Sequence, residues 1–292
     1  MKKFFQILFV CLGLSVLATS CGSSGEDETV YKQTIPNCFI YVEDFTSAAA
    51  AYYTNVSYEI KLNYTKATAE VLVTNLKLSD GTTYPSMRLS AMPFRIASDG
   101  WIEVTADNVV PDKGSYGGDV VFSSFKMRIY QRIVNGKYLP AVSFRYTVNQ
   151  HFSVVSSTPQ QLTWGTTTST DQDGKSFKTT DTYYEVVINT DTRCANIYMN
   201  KASFIGSMPA LDIVLNNVPF VIAGGRLVFN LDNIIPSIGG VPYNQFPIKN
   251  FKGGMEFDKG MNLSFDCEPA TVAGSKYEVT ADTSYAPVST NK

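Results

Sequence analysis

The 292-residue chain carries 24 Lys and Arg against 26 Asp and Glu, one His, and a formal net charge of −2. Hydrophobic residues at 44% and charged residues at only 17% exclude a disordered chain, which needs the opposite balance. The missing basic surplus excludes a nucleic-acid partner, because phosphate neutralisation requires one, and the length sets a prior of about two domains.

The chain opens on Met1-Lys2-Lys3, then an apolar run from Phe4 to Ala18, then small residues up to Cys21. That order of basic, apolar and small segments is a secretory signal, predicted over residues 1–20. The apolar run falls short of the roughly 20 residues that span a bilayer. Leu17-Ala18-Thr19-Ser20-Cys21-Gly22 resembles the lipobox of bacterial lipoproteins. It departs from the commonest form at Ala18, where Leu is usual, and at Ser20, where Gly or Ala is usual. The form ending in Ser-Cys is similar to that of Bacteroidetes lipoproteins. The resemblance implies that Cys21 is thioether-linked to diacylglycerol and becomes the acylated N-terminus, which ties the protein to the outer membrane. A tether is predicted over 21–32, starting with the flexible Gly22-Ser23-Ser24-Gly25. Glu26-Asp27-Glu28 follows, and the same resemblance implies from this acidic cluster that the protein is exposed at the cell surface.

The rest of the chain repeats itself. Tyr58-Glu59-Ile60-Lys61-Leu62-Asn63 lines up with Tyr184-Glu185-Val186-Val187-Ile188-Asn189, an offset of 126 (184 − 58). At that offset Ala69 meets Ala195, and Pro93-Phe94 meets Pro219-Phe220. Asp107-Asn108-Val109-Val110-Pro111 meets Asp232-Asn233-Ile234-Ile235-Pro236, and Phe125-Lys126 meets Phe251-Lys252. Further on, Val142-Ser143-Phe144 aligns with Leu263-Ser264-Phe265, and Phe152-Ser153-Val154 with Tyr277-Glu278-Val279. Upstream, Ile35-Pro36 aligns with Thr158-Pro159. A unit this long is a domain and not a solenoid repeat. The domains are set at 33–156 and 157–282, with a disordered tail over 283–292.

Within each unit the periodicity is that of strands. Trp101-Ile102-Glu103-Val104-Thr105 alternates apolar with polar, and Phe125, Met127 and Ile129 face away from Lys126 and Arg128. Asp80-Gly81, Asp99-Gly100, Asn135-Gly136 and Gly224-Gly225 mark tight turns. Ala48-Ala49-Ala50-Ala51 is too short to stand as a helix. Eight strands are expected in the first unit, near 38–43, 56–63, 68–78, 87–96, 101–107, 119–130, 140–148 and 151–156, and their copies in the second. The fold class is all-β: two homologous tandem antiparallel domains, each a barrel or a sandwich. The strand count resembles that of calycin-like barrels among Bacteroidetes lipoproteins. Mid-strand Pro93 and Pro219 imply an edge or a bulge.

Residues able to carry chemistry are few. His151, the sole histidine, sits beside Asn149-Gln150 in a turn, and no G-x-S-x-G, H-E-x-x-H or phosphate-loop motif occurs. Glu59 with Glu185 and Asp107 with Asp232 recur as paired carboxylates; recurrence in both copies favours a structural role, the aspartates as Asx turns. Asp171-Gln172-Asp173-Gly174 opens like a calcium loop but lacks its closing glutamate. No metal and no cofactor is expected. Cys38, Cys194 and Cys267 are an odd set, read as free thiols acting as small hydrophobes. Candidate ligand-binding residues are the aromatics where the copies differ: Tyr52, Tyr53, Tyr84, Trp101 and Trp164. The function expected is that of a non-enzymatic, lipid-anchored surface protein that binds a glycan or another cell-surface protein. The alternatives are a structural subunit of an envelope or fimbria-like assembly, and a carrier of a small apolar ligand inside a barrel.

Overall fold

The computed structural model describes residues 30–112, 119–131, 133–134, 137–138, 140–269 and 275–285. The expected signal peptide, Cys21, Asn135-Gly136 and the tail from Ala286 onward lie outside the described residues. The strands are β1 (Val30–Asp44), β2 (Ala50–Asn63), β3 (Thr68–Lys77), β4 (Thr83–Ile96), β5 (Ile102–Ala106), β6 (Phe122–Tyr130), β7 (Ile133–Val134), β8 (Lys137–Tyr138), β9 (Ala141–Val148) and β10 (Phe152–Ser157). They continue as β11 (Gln160–Asp171), β12 (Ser176–Thr179), β13 (Tyr183–Asn189), β14 (Cys194–Ala202), β15 (Leu211–Ala223) and β16 (Arg226–Ile234). The last are β17 (Ser237–Ile238), β18 (Val241–Pro242), β19 (Ile248–Glu256), β20 (Gly260–Cys267) and β21 (Tyr277–Ser284).

Both halves close into antiparallel eight-stranded barrels, which decides between barrel and sandwich. The first runs β1-β10-β9-β6-β5-β4-β3-β2, and the second β11-β21-β20-β19-β16-β15-β14-β13, closed by β14 pairing with β15 and β13 with β11. Strand for strand, the two orders are the same. Residues 30–32, expected in the tether, and 283–284, expected in the tail, are strand. β1 already begins at Val30, and β21 continues to Ser284, with Tyr285 buried.

The backbone irregularities repeat as well. Positive φ occurs at Ala67 and Arg193, Asn75 and Lys201, Ala91 and Asn217, and Ser124 and Asn250, each pair 126 residues apart. In β6, Phe122 and Phe125 are both buried although three residues apart, which strict alternation forbids. A bulge at Ser124 absorbs the extra residue, and a second one at Asn250 does the same between Ile248 and Phe251. Pro93 and Pro219 follow the bulges at Ala91 and Asn217, and the next residue resumes the ladder, Phe94 N–H to Ala67 at 3.0 Å and Phe220 N–H to Arg193 at 3.2 Å.

Register corrects two stretches of the repeat alignment. Ile35 pairs with Tyr58 as Thr163 pairs with Tyr184, so the counterpart of Ile35 is Thr163 and not Thr158. Met127 pairs with Phe144 as Gly253 pairs with Leu263, so Phe144 matches Leu263 and Tyr146 matches Phe265. Both shifts follow loops or bulges of unequal length, which sequence similarity alone does not resolve.

Barrel interiors are filled with side chains. In the first, Tyr58 stacks on Phe144 with centroids 3.7 Å apart, and its hydroxyl meets that of Tyr146 at 3.0 Å. The barrels join asymmetrically. Phe39, Tyr41, Tyr52 and Val155 on the outer wall of the first belong to the hydrophobic cluster of the second. Phe39, 0% exposed, packs on Phe257 in the β19–β20 turn, and Tyr52 meets Phe220 edge-on. Arg145 donates to the Gly225 carbonyl in the β15–β16 turn, and Arg128 to that of Asp258. The wall of one barrel therefore lids the rim of the other.

Candidate functional site

At this junction lies a cavity of about 340 Å³ lined by Thr54, Val187, Ile188, Asn189, Thr190, Asp191, Cys194, Asn196 and Asn217. Thr54 comes from β2 of the first barrel; the others come from the β13–β14 hairpin and β15 of the second. Ligand pockets favour such domain boundaries, and this volume sits at the small end of their range.

The hairpin geometry sets the polar groups. Asn189 Oδ1 accepts the backbone N–H groups of Asp191 at 3.0 Å and Thr192 at 3.2 Å, the usual Asx closure of a turn. Asn196 Oδ1 accepts the N–H of Asn217 at 2.9 Å, where the left-handed bulge exposes that donor. Cys194 is half-buried, unlike the buried thiols Cys38 and Cys267. Burial pushes the Cys267 thiol up to about 12 and raises that of Cys38 further. Neither of those two behaves as a nucleophile.

None of the five candidate aromatics lines this cavity, and Tyr52 is the one joined to its neighbourhood through Arg193. It lies two residues from Thr54 on the same face of β2, and Arg193, beside Cys194, sets its guanidinium over the ring at 5.2 Å. The others go elsewhere. Tyr84, 6% exposed, belongs to the core of the first barrel. Trp101, also 6% exposed, is buried between Tyr130 and Tyr285, with Arg128 at 4.5 Å from its ring. Tyr53 packs on the first core and donates to the Leu78 carbonyl at 3.2 Å. Trp164 is half-buried on β11 beside Tyr183. Aromatic type was a poor locator because strand aromatics here serve cores and the barrel joint.

A second, smaller cavity of about 230 Å³ lies where the chain crosses between barrels, lined by Ile35, Pro36, Pro140, Pro159 and neighbours. Gln33, Thr34, Thr158 and Gln160 complete the polar part of its lining. The remaining titratable candidates are engaged locally. His151 is exposed in the β9–β10 turn. Glu59 pairs with Lys32 at 3.0 Å, and Glu185 accepts from Gln160 at 2.6 Å. Asp107 closes the expected turn by accepting from Asn108 at 3.1 Å and Ser124 at 2.9 Å. Among the described residues no group of three or more His, Cys, Asp and Glu is placed to hold a metal.

Sequence reading missed the asparagines. Their signal lay in the repeat: Glu70 and Ala91 of the first unit stand where Asn196 and Asn217 stand in the second.

No family model and no curated protein matches the chain. Among solved structures, it is similar to a provisionally named outer membrane protein of Bacteroides fragilis, at 10% identity and a TM-score of 0.35, over 87% of this chain and 97% of that one.

Proposed function

We propose that this chain is a lipid-anchored outer-membrane protein, displayed at the cell surface, that binds a glycan or a surface protein without transforming it. The anchor is Cys21, supported by the basic, apolar and small segments that precede it. Diacylation together with an N-acyl chain suits stable anchoring, where one short chain is marginal. The binding half is carried by one observation, the polar cavity at the barrel junction. Asp191 is the single carboxylate among its lining residues, and no histidine lines it, so the group set suits holding a ligand better than moving a proton.

Two measurements test the reading. Metabolic labelling with a fatty-acid analogue in a Gram-negative host is expected to label the wild type and leave Cys21→Ser unlabelled and released from the membrane. Membrane retention of an unlabelled wild type refutes the anchor. Glycan arrays and pull-downs with the mature protein address binding, and clean negatives in both refute it.

A further inference from the structure

We infer that the inter-barrel cavity is a recognition site for a neutral saccharide, with Asn189 and Asn196 as its fixed hydrogen-bond donors. This rests on the binding reading above and names the ligand class for it.

The argument starts from how each carboxamide is spent. Backbone N–H groups need an acceptor, so the turn and bulge assign Oδ1 of both asparagines to the protein. Each Nδ2 then makes no hydrogen bond among the described residues and is held in a plane set by its own oxygen. Two donors fixed before a ligand arrives reduce the ordering cost of binding. The acceptors beside them are the Asp191 carboxylate and the Thr54 and Thr190 hydroxyls. A wall offering both fixed donors and acceptors matches groups that both donate and accept. Vicinal hydroxyls of a sugar are such groups.

Charge narrows the class. No Lys or Arg lines the cavity, so an anionic ligand meets Asp191 without a countercharge. A single carboxylate gives the site a low ligand charge for a divalent cation. An apolar ligand would cover the asparagine donors and leave them unpaired. The matching rim of the first barrel shows the contrast: Glu70, at the position of Asn196, is ion-paired with Lys61 at 2.8 Å and with Arg88. The volume of about 340 Å³ is enough to admit a terminal sugar residue. Arg193, next to Cys194, is not among the lining residues; its guanidinium lies over the Tyr52 ring at 5.2 Å.

The test is a glycan array carrying neutral, sialylated and sulfated saccharides, followed by calorimetry with the strongest neutral hit. Asn189→Asp and Asn196→Asp keep the oxygen that serves the backbone and replace only Nδ2. Each is expected to weaken binding at least tenfold with an unchanged melting temperature. Thr54→Trp fills the cavity from the other barrel and is expected to abolish binding with every hairpin residue left in place. Saturating saccharide is expected to slow maleimide labelling of Cys194 several-fold. Lys61→Ala, on the opposite rim, is expected to bind as wild type. Preference for acidic saccharides overturns the proposal, as does neutral binding that survives all three cavity variants. Absence of any saccharide binding also overturns it, whereas protein capture by the same preparation leaves the displayed-binder reading standing.

Discussion

Strands β1 and β11 hold the same place in their two barrels and line it with opposite chemistry. Ile35, Cys38, Ile40 and Val42 face the first interior; by register their counterparts are Thr163, Gly165, Thr167 and Ser169. The hydroxyls are buried yet satisfied. Thr163 accepts from Thr283 at 2.9 Å, and Ser169 donates to the Phe204 carbonyl. One exchange is reciprocal. In the first barrel the Tyr58 hydroxyl pairs with Tyr146, and Ile40 beside it is apolar. In the second, Phe265 replaces Tyr146, and the Tyr184 hydroxyl turns to Thr167 at 2.7 Å, the residue in place of Ile40. The shared backbone, with its recurring bulges, thus tolerates two linings provided each buried hydroxyl keeps a partner. The outer surfaces differ in use too: one barrel supplies a wall, the other a rim.

The largest effect is expected where wall meets rim. Phe39→Ala removes a fully buried ring from the joint and is expected to cost about 3–5 kcal/mol by chemical denaturation. Hydrogen exchange should then lose protection first in the β19–β20 turn. Loss confined to the interior of the first barrel breaks the wall-and-rim description. Next comes Gly165→Ala. A Cβ there meets the backbone of Asp282 and Thr283, so β11 and β21 must move apart, at a cost of about 1–3 kcal/mol. Cys38→Ala at the matching position of the first barrel should not show this overpacking; equal costs would erase the asymmetry. The reciprocal exchange is sharpened by a double-mutant cycle. Thr167→Val strands the Tyr184 hydroxyl and is expected to cost about 1–3 kcal/mol, while adding Tyr184→Phe should recover most of it. Strict additivity would deny the pairing.

Much of the fold was legible because period and repetition speak in strands. The alternation of Ile102 and Val104 with their neighbours, the Gly81 and Gly100 turns, and the shared Tyr-Glu-apolar run all read correctly from residues to sheet. Barrel closure was not legible, since it depends on β1 meeting β10 and β11 meeting β21, strands far apart in the chain. The site was least legible. Trp101 and Tyr84 carry the chemical type expected of a binding face, yet tertiary packing buried both. Asn189 and Asn196 gained their roles only when a turn and a left-handed bulge used up their oxygens. That is a property of conformation, and only the Glu70-to-Asn196 difference hinted at it.

The smallest expected effect separates the two first hairpins. Asp44 ends β1 as Asp171 ends β11, and each closes its turn by accepting local hydrogen bonds. Asp171 accepts from backbone N–H groups, those of Asp173 at 3.0 Å and Lys175 at 2.8 Å. Asp44 adds hydroxyls: Ser47 Oγ donates at 2.6 Å, Thr46 Oγ1 at 2.6 Å and Thr46 N–H at 2.7 Å. The Ser47 hydroxyl first, then those of Thr46, hold the carboxyl at about 2, below the usual 3.8. A depressed folded value means the carboxylate stabilises the turn fully above about pH 4, and that this is lost as pH falls through about 2. An NMR titration is expected to give Asp44 a midpoint near that lower value. Asp44→Asn should flatten the acid dependence of the β1–β2 turn and leave the β11–β12 turn unchanged. A wild-type midpoint near 4 would mean that the hydroxyls contribute no preference for the charged form, and the two hairpins would then be electrostatically alike.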